Sequence, residues 1–221
     1  EDLMAGCETG SAPEIPGADV SFVCGQKRID LYGARAAHSP LVVLNTFGDE
    51  GAAVWNACRE GGAPPCTLAA ISHLDWNADL TPWESPALSR REPPFAGHAD
   101  SYLALLVGQL LPRMRAELAA EPEWTALAGY SLAGLFALYA AYRTDCFDRI
   151  ASASGSLWYP HFADFAAETP FVRVPDCVYL SLGDAEAASR NRTLATVQAQ
   201  TERLASLYAS LGIPTAFVLN R

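Results

Sequence analysis

The chain has 221 residues, 50% of them apolar, and carries 15 basic against 25 acidic side chains for a formal charge of −10. Such a chain is long and apolar enough to close a full core, which excludes a disordered or fibrous protein and fits one domain. Its acidity repels phosphate backbones and anionic lipid, so neither nucleic acid nor a membrane surface is an expected partner.

No stretch reaches the roughly 20 uninterrupted apolar residues of a membrane span. The best run, Leu127 to Tyr142, contains Gly129, Ser131 and Gly134. The chain starts at Glu1 with no charged and apolar leader, so no secretory signal is expected. The six cysteines, at 7, 24, 58, 66, 146 and 177, have neither CxxC spacing nor a histidine-rich partner pattern. They are expected to be buried reduced thiols in a cytoplasmic protein that needs no metal and no cofactor.

Residues 1–17 are rich in Gly, Pro, Ser and acids and are expected to form a flexible N-terminal arm, with a single domain over 18–221. Short β-type runs follow at Val20 to Cys24, Ile29 to Tyr32, Leu41 to Asn45 and Cys66 to Ile71. The last two are continuously apolar, as in strands covered on both faces. A helical stripe of Leu103, Leu106, Val107, Leu110, Leu111, Met114 and Leu118 predicts a helix over Asp100 to Ala119, kinked at Pro112. A strand from Thr125 to Gly129, a helix from Leu132 to about Tyr142, and strands at Ile150 to Ser154 and Cys177 to Leu182 come next. A helix from Arg192 to Leu211, bounded by Gly212 and Pro214, precedes a last strand at Thr215 to Leu219. This alternation predicts an α/β fold, a doubly wound, mostly parallel sheet with helices on both faces. Two segments, Ser72 to Gly97 and Gly155 to Pro175, lack regular pattern and are rich in Trp and Pro, as functional loops often are.

The sharpest chemical feature is Ala128-Gly129-Tyr130-Ser131-Leu132-Ala133-Gly134, between a predicted strand and a predicted helix. A serine in a tight strand-to-helix turn is exposed as a nucleophile, and the turn demands small residues two positions either side, here Gly129 and Ala133. The helix start places free amides beside a developing oxyanion, making Leu132 N–H the first candidate donor. The alternative is a serine that merely caps a helix. The second oxyanion donor is expected from Asn45-Thr46-Phe47-Gly48, at the amide of Phe47 or Gly48, unless this is an ordinary βα turn.

A serine nucleophile also needs an acid and a base in the chain order Ser, Asp/Glu, His. Asp184, directly after a strand, is the candidate acid, with Glu186 as its rival; a solvated acidic loop is the alternative for both. None of His38, His73, His98 and His161 follows Asp184, so no base stands at the expected position. His38, before the first central strand, is expected at the surface, and His98 in a loop or beside a helix N-cap. Trp76, Trp83, Trp158 and Tyr159, with His73 and His161, are the candidate substrate-pocket residues, in the two aromatic-rich loops.

Several stretches together resemble the esterase D and enterochelin-esterase-like branch of the α/β-hydrolases. They are Gly129 to Ala137, Cys146 to Ile150 leading to Ser154-Gly155-Ser156-Leu157-Trp158-Tyr159, and Leu180-Ser181-Leu182-Gly183-Asp184 with Glu186 and Arg190-Asn191. The segment Asp75 to Trp83 resembles that branch's entrance loop, and the likeness extends over about Val20 to Arg221. It implies an α/β-hydrolase domain and hydrolysis of a small carboxylic ester through an acyl-serine. Ser131 would be the nucleophile and the amides near Phe47 and Leu132 the oxyanion hole. It also implies a Gly-Gly-His-Phe-like segment just after the final strand, where this chain stops, so the domain is expected to lack its C-terminal end. Two alternatives share these residues: a non-catalytic binding protein without the base, in which only substrate binding and the oxyanion hole remain, and an acyltransferase. Neither the particular ester nor the oligomeric state is encoded in a readable motif.

Overall fold

The computed structural model describes residues 9–11, 17–37 and 39–221, and His38 and most of the expected arm lie outside the described residues. The chain gathers into two compact units, residues 1–74 with 104–123, and residues 75–103 with 124–221.

In the first unit, β1 (Thr9–Ser11), β2 (Val20–Cys24), β3 (Lys27–Tyr32), β4 (Leu41–Asn45) and β5 (Thr67–Ser72) lie in the order β1-β2-β3-β5-β4. The pairs β1/β2, β2/β3 and β3/β5 are antiparallel, and β4/β5 is parallel. Residues 9–11 of the expected arm thus form an edge strand. Parallel pairing of β4 with β5 requires a crossover, and helix α1 (Gly51–Glu60) provides it. This helix was not expected. Ala52, Val54 and Trp55, all in its first half, pack on Tyr32, Leu68 and Ala70, and the second half carries only small or polar side chains, so no apolar stripe repeats along it. Trp55 stacks on Tyr32 with ring centroids 6.0 Å apart, and a Cβ at Gly51 would sit 2.6 Å from that of Ala70. On β3 the side chains of Arg28 and Asp30, two residues apart and on one face, form a buried ion pair at 2.9 Å, and Ser21 also donates to Asp30.

The second unit opens with α2 (Trp76–Asp79), a single turn capped by the Asp75 carboxylate, which accepts from Ala78 N–H at 3.2 Å. Strands β6 (Glu84–Ser85) and β7 (Phe95–Ala96) then form a small antiparallel pair. These elements and α6 (below) correct the expectation of irregular loops at Ser72 to Gly97 and Gly155 to Pro175. Each is too short to show a period in sequence. The predicted helix over Asp100 to Ala119 is α3 (Ala99–Leu105), a π-helical turn (Leu106–Leu110) and α4 (Leu111–Ala116). Proline at 112 has no N–H and its ring crowds the carbonyl four residues back, and a π-helical turn falls just before it.

The rest is a regular βα succession: β8 (Thr125–Tyr130), α5 (Leu132–Ala141), β9 (Arg149–Ala153), α6 (Phe162–Glu168), β10 (Cys177–Gly183), α7 (Val197–Ser210) and β11 (Thr215–Asn220). Short 3₁₀ turns at Glu186–Ala188 and Leu194–Thr196 precede α7, so the expected helix begins several residues later than Arg192. The four strands pair β8-β9-β10-β11, all parallel. Every residue of α5 is buried, as its uniformly apolar sequence requires, and Phe136 packs on Tyr102 with centroids 5.1 Å apart.

The cysteine expectation is corrected in part. Cys58, Cys66, Cys146 and Cys177 are free, half-buried thiols, but Cys24 at the end of β2 is disulfide-bonded. Among the described residues no helix is long and apolar enough to cross a membrane.

Candidate functional site around Ser131

Ser131 occupies the single residue between β8 and α5, with φ 52° and ψ −126°. A positive φ is costly for a residue with a Cβ, by about 1–3 kcal/mol, and persists only where the surroundings over-determine it. Here they do. The Ser131 N–H points at the carbonyls of Ala153 and Ser154, each at 3.2 Å. Its own carbonyl accepts from Gly134 at 3.1 Å, Leu135 at 3.2 Å and Ser156 at 2.9 Å.

The flanking small residues are a steric necessity. A Cβ at Gly129 would run into the backbone carbonyl of Ala133, and one at Gly134 would stand 2.6 Å from Ser152 Oγ. The strand and the helix therefore meet backbone to backbone, and the chain reverses within one residue. The Ser131 side chain is half-buried, and Leu132 begins α5, where the first amides have no partner within the helix. Trp76 packs against Tyr130 at 5.4 Å, placing two aromatic rings beside the residue that precedes the serine.

The two acids differ sharply. Glu186 Oε1 accepts from Ser154 Oγ and from Gly183 N–H, both at 2.7 Å, and so ties together the carboxyl ends of β9 and β10. Both acids are exposed, but for Asp184 the contact is through the backbone, whose N–H donates to Asn220 O at 2.8 Å.

The aromatic residues form a cluster of their own. Trp83 Nε1 donates to the Pro160 carbonyl at 3.0 Å, and Tyr159 Oη donates to the Trp83 carbonyl at 2.6 Å. Phe95 contacts both Trp158 and Tyr159, at 6.0 and 5.4 Å. Tyr159 is 2% exposed, and burial pushes its hydroxyl up to about 12 despite hydrogen bonds to Thr81 and Ser85. Trp158, Tyr159 and His161 line a cavity of about 370 Å³ with Asp164, Arg192 and Arg203. Trp83 and His161 also border a neighbouring hollow of about 500 Å³. His161 sits in the left-handed region, φ 66°, at the start of α6.

Three expected residues, His73, Phe47 and Gly48, lie in the first unit. His73 has φ 61° and approaches Asp49 at 4.0 Å, both exposed. Of the candidate amides after β4, that of Gly48 donates to Glu50 Oε2 at 3.0 Å, and the Phe47 ring is largely exposed. Among the described residues no three His, Cys, Asp or Glu side chains converge where a metal ion could sit.

Sequence reasoning assigned no role to Ser154 and Ser156. Ser154 has φ 46° and bonds Glu186, and the buried Ser156 hydroxyl lies 3.3 Å from Ser131 Oγ. The readable signal was Ser154-Gly155-Ser156, two hydroxyls around a glycine at the end of the strand beside β8.

This mostly parallel sheet with helices, turning sharply into α5 at a serine, is a fold of the α/β-hydrolase type. The chain belongs to the esterase family described as "Putative esterase", whose profile matches residues 32–212. It is similar to the uncharacterized protein YbbA of Bacillus subtilis, 28% identical over 134 residues, 59% of this chain and 54% of that protein. It is also similar to the iron(III) enterobactin esterase of Escherichia coli, 27% identical over 175 residues, 72% of this chain and 40% of that protein. The chain thus spans about half, or less, of the length of these curated relatives. In fold it resembles the IroE-like serine hydrolase of Shewanella oneidensis, with a TM-score of 0.69 at 15% identity over 88% of this chain and 68% of that one.

Proposed function

We propose that the protein is a serine hydrolase that cleaves a small carboxylic ester through an acyl-serine intermediate on Ser131. The observation that carries this reading is the Ser131 backbone, held at φ 52° between a strand and a wholly buried helix. A helix-capping serine adopts extended backbone and its side-chain oxygen accepts from an amide of the first turn. Ser131 does neither, so helix capping gives no reason for the strain.

In the proposed reaction Ser131 Oγ attacks the ester carbonyl carbon and its proton passes to a general base. The carbonyl oxygen takes up negative charge facing the Leu132 amide and the positive end of α5. Collapse expels the alcohol, and water then releases the acid from the serine. The base is the histidine that the resemblance assigns to a segment following β11. Glu186, anchored on β9 and β10, supports the acid role better than Asp184. Trp76 and Tyr130 offer an apolar wall for the substrate. An ester related to the enterobactin named for the Escherichia coli relative is the first class to screen, and the disulfide at Cys24 favours an oxidising compartment over the expected cytoplasm.

The test is to treat the full-length protein with a fluorophosphonate and locate the adduct by mass spectrometry. The expected result is one adduct on Ser131, absent after Ser131→Ala. An adduct elsewhere, or none with a verified full-length protein, overturns the assignment.

A further inference from the structure

The segment that follows β9 does more than lead into α6. Its residues 153–156 meet Ser131 at three different groups: the carbonyls of Ala153 and Ser154 receive its N–H, the Ser156 amide bonds its carbonyl, and the Ser156 hydroxyl stands 3.3 Å from its Oγ. The segment is itself rigidly seated. Ser154 N–H donates to the Ser181 carbonyl of β10 at 2.8 Å, Ser154 Oγ is held by Glu186, and Gly155 is buried so closely on Ser152 Oγ that no Cβ fits there. Ser156 is 4% exposed, so its hydroxyl has no freedom to turn toward solvent.

We infer that Ser156 is a positioning residue for Ser131, its hydroxyl selecting the rotamer in which the Ser131 oxygen faces incoming substrate. The inference rests on the proposed nucleophile and adds to it the group that aims it. The physical argument is one of rotamers. A serine Oγ with no partner samples three staggered wells, and attack requires the oxygen in line with the carbonyl carbon. The strained backbone fixes where the Cβ points but leaves χ1 open. Ser156 is the side chain within hydrogen-bond distance of Ser131 Oγ, and it is bolted to the same backbone through its own amide. Exchanging the hydroxyl for hydrogen keeps the amide bond and removes only the rotamer preference.

The experiment compares wild type, Ser156→Ala and Ser156→Cys in the full-length protein, following the rate of fluorophosphonate modification, kcat and KM on an activated ester, and Tm. Expected for Ser156→Ala is a loss of about tenfold in modification rate and kcat, the worth of one positioned hydrogen bond, with KM and Tm little changed. Ser156→Cys, nearly the same size with a weaker donor, is expected to fall between. Wild-type modification rates in both variants overturn the inference while leaving the nucleophile in place. Failure of wild type to be modified at Ser131 overturns the nucleophile instead. Loss of folding in both variants, or a rise in KM with unchanged kcat, assigns Ser156 to structure or substrate contact and overturns the positioning role.

Discussion

Gly129 and Ser131 are two positions apart and obey opposite rules. One must lack a Cβ because Ala133 is already there, and the other carries one in a backbone conformation that disfavours it. Gly129→Ala is therefore expected to cost about 1–3 kcal/mol by overpacking, or more if α5 cannot move, visible as a lower Tm in thermal unfolding. Arg28 illustrates a second residue-scale rule. Its ion pair with Asp30 is buried on both sides, with side-chain exposures of 8% and 6%. Replacing Arg28 with Met leaves the Asp30 carboxylate in the interior without its guanidinium, though Ser21 still donates to it, and chemical denaturation should show a loss of about 3–5 kcal/mol. Ser131 was readable from its neighbours in sequence because small residues at fixed offsets are a local requirement. The contacts of Ser156 with Ser131 and of Ser154 with Glu186 were not readable in this way, since they join residues 25 and 32 positions apart along the chain.

At the scale of elements, what was readable was whatever had length or uniformity. The strands from β2 to β11 with four or more residues, and helix α5, fall close to their predicted bounds, because each strand is a short run of apolar or β-type residues between turn signals and the buried helix is uniformly apolar. Helices α1, α2 and α6 escaped because each shows at most a few apolar side chains to its sheet or neighbour. Helix α5 is the element whose packing matters most for the serine, since all ten of its residues are buried. Phe136→Ala within it should cost about 3–5 kcal/mol and lower Tm accordingly, the cavity opening against Tyr102.

For the molecule as a whole, buried tyrosines set the alkaline limit. Burial pushes the Tyr142 and Tyr159 hydroxyls up to about 12 in the folded state, whereas an unfolded tyrosine ionises near 10. Below about pH 10 both states hold their protons and the contribution to stability is complete. Between about 10 and 12 the unfolded chain ionises first, so stability falls as pH rises, by on the order of 2 kcal/mol for each hydroxyl. Denaturation midpoints measured from pH 8 to 11.5 should show this slope, and it should flatten in Tyr142→Phe. Composition, apolar runs and the Gly-x-Ser-x-Ala string were enough to place an α/β fold and a serine in the sharp turn between a strand and a helix, because burial and a tight turn each leave their mark within a few neighbouring residues. That the Glu186 carboxylate holds Ser154 and that the Ser156 hydroxyl stands beside Ser131 were decided only by the tertiary structure, because those contacts join residues 32 and 25 positions apart and separation along the chain carries no information about separation in space.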